Sequence, residues 1–100
     1  MAYDPGALTA SLAAAVGNDS DLVVELRGAF IESAARQLDL MNRSRCDANW
    51  ILAAARLKSV AASFGAAGLA GLADEALAGA PGDPVVRRKI AAAIDDFAAG

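Results

Sequence analysis

The sequence predicts an all-α domain, an up-down antiparallel four-helix bundle with a short additional N-terminal helix. Three observations point there. Apolar residues recur at helical spacing in five successive segments. The composition is 56% hydrophobic, and much of that is Ala, which favours helix but buries little area per residue, so the interhelical contacts must be close. No period-two run of β-branched residues competes, and breaks of only a few residues make successive helices antiparallel.

Each element has its own signals. Asp4 and Pro5 pair an N-cap acceptor with the residue favoured at the first helical position. Leu8, Leu12, Ala15 and Val16 then form a stripe that Gly17 and Asn18 end. A longer helix is expected from Asp19 or Ser20 to about Arg43. Asp19, Asp21 and Glu25 favour its N-terminal end, and Arg43 with Arg45 its C-terminal end. Val23, Leu26, Phe30, Ala34, Gln37 and Met41 follow its inner face. The third helix, the central element, starts near Asp47 and continues to Phe64, where Gly65 can adopt the left-handed conformation that closes a helix. Its core stripe is Trp50, Ala53, Leu57, Val60, Ala61 and Phe64. A fourth helix, from about Ala66 to Ala78, carries Leu69, Leu72, Ala73 and Ala76 before the turn AGAPGD. Asp83 and Pro84 repeat the opening device, and the last helix presents Val86, Ile90, Ala93, Ile94 and Phe97.

Size and charge narrow the function classes. One hundred residues make a single domain, 1–100, near the size where one core suffices without metals or disulfides. A lone Cys46 forms no internal disulfide, and with no basic plus apolar N-terminal signal the expected location is cytoplasmic. The longest uncharged stretch, Ser59 to Ala73, is too short and too rich in Gly and Ala to span a bilayer. A net charge of −3 gives no electrostatic reason to expect nucleic acid or an anionic membrane as partner. The basic run Arg87 to Lys89, answered by Asp95 and Asp96, reads as a solvated helix face. No metal-ligand cluster, Cys and His pairing or Gly-rich phosphate cradle occurs, so neither an enzyme nor a bound cofactor or metal is expected. Adjacent Asp74 and Glu75 point about 100° apart on a helix and are expected on solvated edges.

On the third helix, Ala55 lies roughly 180° from the centre of the core stripe. Ile51 and Leu52 lie one turn earlier, Lys58 and Ser59 one turn later, and Ala62 two turns later. An outer side of small or apolar residues beside an ammonium group differs from an ordinary charged face. It reads either as a docking patch of low relief or as a helix enclosed by its neighbours on nearly all sides.

Residues Leu52 to Leu77 read LAAARLKSVAASFGAAGLAGLADEAL. This stretch resembles the core of a histidine-containing phosphotransfer (HPt) domain of two-component phosphorelays. That motif runs small residue, His, any residue, Leu, Lys, then Gly or Ser, with a Gly seven positions past the Lys. Leu57, Lys58, Ser59 and Gly65 match it, and Ala55 occupies the phosphoacceptor position. The resemblance covers nearly the whole chain, from an acidic lead-in and Phe30 to the FGA turn into a Leu-rich fourth helix. It implies a monomeric phosphocarrier module that meets the acidic pocket of a response regulator receiver domain, with a hybrid histidine kinase as a further partner. Lys58, three residues past the reactive position, would balance phosphoryl charge. Ser59 would let the receiver backbone approach, Arg56 stands where the family varies freely and reads either as a solvated side chain or as a contact to an acidic receiver rim, and Gly65 is a structural terminator.

The chain contains no His. Imidazole is nucleophilic near pH 7 and passes a phosphoryl group onward, whereas an Ala methyl has no lone pair. Ser59 and Ser63 do not substitute, because no His, Glu or Asp stands beside them as a base. Two explanations fit Ala55: a His to Ala variant of a relay protein, or a natural pseudo-HPt acting as receiver-binding decoy, scaffold or inhibitor. A third reading, of another class, is a self-associating helical interaction domain that packs through Ile51, Leu52, Ala55 and Ala62.

Overall fold

The computed structural model describes Leu12, Ala14 and residues 20–99. Among these residues there are four helices and no strand: α1 Ser20–Arg43, α2 Asp47–Ser63, α3 Ala67–Ala78 and α4 Pro84–Ala99. The leading helix expected after Asp4 falls outside the described residues apart from Leu12 and Ala14. Both of these are helical, and Leu12 is buried in the core.

The breaks follow from local chemistry. The Ser44 hydroxyl and backbone N–H both donate to the Met41 carbonyl, at 2.7 and 3.2 Å, which satisfies one of the open acceptors at the end of α1. At the end of α2, Gly65 takes φ 75. Its N–H donates to the Ala62 carbonyl at 3.2 Å, while the Ala66 N–H reaches the Ala61 carbonyl at 2.8 Å. That pair of bonds around a left-handed glycine is a Schellman motif, and buried Ala61 and Ala66 supply its apolar contact. Between α3 and α4 the Asp83 N–H donates to the Ala80 carbonyl at 3.2 Å. Pro81 and Gly82, the latter at φ 82, occupy the central places of a type II turn. Asp83 then caps α4, its Oδ1 accepting the Val85 N–H at 2.9 Å.

Each helix packs on its neighbour in the chain, and α1 also packs on α4, so the four enclose one core. The buried residues of α3 (Leu69, Leu72, Ala73, Ala76) and α4 (Val86, Ile90, Ala93, Ile94, Phe97) are the expected stripes. On α1, Phe30, Ala34 and Met41 are buried, and Val23 and Leu26 pack partly against the core. Gln37 is half-buried, with its Oε1 shielded and lacking a hydrogen-bond partner. Phe30 is the aromatic hub, 5.2 Å from Phe64 and edge-on to Phe97 at 5.4 Å between ring centroids. The Trp50 indole N–H donates to the Ala76 carbonyl at 3.3 Å, fastening the start of α2 to the end of α3. Arg27 joins α1 to the last turn of α4, its Nη2 and Nε donating to the Phe97 carbonyl at 2.6 and 3.2 Å.

The basic run is solvated, as expected, at Arg88 and Lys89 but only in part at Arg87. Arg87 is half-buried with its Nε shielded, and Lys89 pairs across to Glu75 on α3 at 3.3 Å. The side of a bundle helix that carries a charge also touches its neighbour, and there the nearest carboxylate need not be on the same helix.

Candidate functional site

Helix α2 divides into an inner and an outer side. Trp50, Ala53, Ala54, Leu57 and Ala61 are buried, and Val60 and Phe64 are half-buried. Ile51 and Leu52 remain 47% and 50% exposed, and Arg56, Lys58, Ser59 and Ala62 are exposed as well. The helix is therefore not enclosed on all sides. Leu22, Val24 and Leu40 of α1 and Val85 of α4 are also exposed, so what distinguishes Ile51 and Leu52 is their place on one helix face beside small residues.

The burial pattern corrects the orientation of α2. Averaging directions at 100° per residue, the buried set is turned by about 25° from the expected stripe, which brings Ala54 into the core and moves Val60 outward. Ala55 is half-buried rather than at the crest. The turn is toward the side on which α3 lies, since Lys58 bonds to a residue of α3 and stands about 60° from Ala55 on that same side. Around the outer face the order is Lys58, Ile51, Ala62, Ala55, Ser59, Leu52 and Arg56, across about 160°. The residues expected to form a docking patch thus share one face, with a cation at each flank and methyl groups in the middle.

Lys58 is not an isolated ammonium. Its Nζ lies 2.8 Å from Asp74 Oδ1, with the two side chains 49% and 56% exposed. Asp74 and Glu75 are exposed, as expected of solvated edges, and each also engages a lysine, Asp74 that of α2 and Glu75 that of α4. The α2–α3 hairpin explains the first pairing, because Lys58 and Asp74 lie at nearly equal distances along the chain from the Gly65 turn. The signal that could have identified Asp74 was this hairpin register. Beside the pair, a shallow groove of about 370 Å³ is lined by Ala62, Gly65, Ala67, Ala70, Gly71 and Asp74. None of the lining residues on the α2 side extends beyond a methyl group, so the groove continues the low relief of the face around Ala55.

The arrangement limits the chemistry. Ala55 offers no nucleophile. The Ser63 hydroxyl donates to the Ser59 carbonyl at 2.8 Å, a bond back along the helix that engages its proton away from any base. No group of three or more His, Cys, Asp or Glu among the described residues could hold a metal ion. No helix among them is long and apolar enough to cross a membrane. The face itself carries two exposed aliphatic side chains, a floor of small residues, and a cation at each flank, that of Lys58 paired with Asp74. No protein-family model, no curated protein and no solved structure matches this chain.

Proposed function

We propose that this domain is an HPt-like signalling module that docks a response regulator receiver domain through the α2 face around Ala55, without carrying a phosphoryl group at that position. The observation that carries the reading is the open outer face of α2, where Ile51 and Leu52 stand half-exposed beside Lys58 and Ser59. The fold it requires is an up-down antiparallel bundle with a short N-terminal helix. Cyclic packing of the four helices and connections of three to five residues favour that topology. A receiver presents carboxylates, and Lys58 with Arg56 gives the face the complementary sign. The free-standing receiver and the receiver of a hybrid histidine kinase are both partners of this chemistry, in the cytoplasm. Where the wild-type residue 55 is His, the same face relays the phosphoryl group; where it is Ala, docking alone is the output.

The test is a titration of isotope-labelled protein with an isolated receiver domain, followed by amide chemical shifts. Shifts are expected around Ala55, Lys58, Ser59 and Ala62, and Lys58→Glu is expected to weaken binding by at least about fivefold. Shifts confined to α4 would overturn the proposal. Self-association is the competing reading, because Ile51 and Leu52 would serve a second copy equally well. Sedimentation analysis separates the two: a mass that rises with concentration supports self-association, and a constant monomer mass supports docking.

A further inference from the structure

We propose that Asp74 is an internal competitor on this face, so that an acidic partner engages Lys58 in competition with its carboxylate. The inference rests on the docking reading above and assigns a role to a residue outside the face itself. Lys58 Nζ and Asp74 Oδ1 form an ion pair at a contact distance of 2.8 Å. Its two side chains belong to different helices and are each about half-exposed, so the contact is screened by water and weak enough to exchange. While it is formed, the ammonium is drawn toward α3, on the groove side of Ala62, and away from Ser59 and Leu52.

Arg56, at the opposite flank, is exposed and makes no ion pair among the described residues. The two cations of the face are therefore unequal, one available at first encounter and one already held. A neutral surface gains nothing by releasing Lys58, since breaking the pair returns two charges to water with no new partner. A surface with closely grouped carboxylates replaces one anionic contact by several, and the released Asp74 is rehydrated at little cost. Asp74 thus sets a threshold that selects clustered acidic partners over single charges.

The neighbouring residue supplies a control. Glu75 pairs with Lys89 of α4 at 3.3 Å, away from the face. Asp74→Asn and Glu75→Gln each remove one negative charge from adjacent positions on the same helix, but only the first frees Lys58. Both variants of the full chain would be titrated with an isolated receiver domain and, separately, with a hexa-aspartate peptide, reading the amide shifts of Lys58 and Ser59. Asp74→Asn is expected to tighten binding about threefold to fivefold, and Glu75→Gln by less than half as much. An equal gain in both variants would mean a general charge effect and would overturn the proposal, as would no gain in Asp74→Asn. If no receiver binds any form, the docking reading fails. The peptide then decides this inference alone: a selective gain in Asp74→Asn sustains it, and equal affinities end it.

Discussion

Removing the Phe30 ring tests whether the core is organised as described. Phe30 is fully buried, and its ring centroid lies 5.2 Å from that of Phe64 and 5.4 Å from that of Phe97. Phe30→Ala leaves a cavity where α1, the end of α2 and the end of α4 meet, at a cost of about 3–5 kcal/mol. Phe30→Leu keeps much of the apolar volume but loses both aromatic contacts, each worth about 0.5–1.5 kcal/mol, so a cost of about 1–3 kcal/mol is expected. A domain of this size has roughly 5–15 kcal/mol in total and loses about 4–8 °C in Tm per kcal/mol. The Leu variant should therefore remain folded at reduced Tm, while the Ala variant approaches the limit of stability. Urea unfolding followed by tryptophan fluorescence suits the measurement, because Trp50 is the single Trp, is 1% exposed, and lies at the opposite end of the α2–α3 pair. A loss below about 1 kcal/mol for Phe30→Ala would refute a close-packed aromatic hub.

The remaining predictions concern the helix ends and use the same unfolding assay. Two glycine substitutions should act with opposite signs. Gly65→Ala places a side chain at φ 75 and should cost about 1–2 kcal/mol, whereas Gly28→Ala, inside α1 with open space around the added methyl, should stabilise by about 0.5–1 kcal/mol. Equal effects at the two positions would contradict the left-handed closure of α2. Asp83→Ala removes the acceptor for the Val85 N–H and should lower stability by about 1 kcal/mol, with Asp83→Asn retaining most of it. No change in Asp83→Ala would mean that Pro84 alone starts α4.

Helix limits and inner stripes were readable wherever the chain contrasts large apolar residues with polar ones. On α3 and α4 the buried residues are those the 3.6-residue period selects, because Leu, Ile, Val and Phe gain far more from burial than the Ala and charged residues between them. The Gly65 and Gly82 turns and the Asp83 cap were equally legible, since their backbone requirements are local. Helix α2 was harder to orient. Ala53, Ala54 and Ala55 are chemically identical, so their order of burial, and with it the half-buried setting of Ala55, depends on how α1 and α3 press on the helix. The residues of the outer face could be listed from the chain, but not what holds its lysine. Asp74 reaches Lys58 only through the register of the α2–α3 hairpin, and Glu75 reaches Lys89 only because α3 lies against α4. A period along one helix reports what each residue gains by leaving water. Rotation about the helix axis and pairing between helices are set by the shapes of neighbouring surfaces, which exist only once the bundle is assembled.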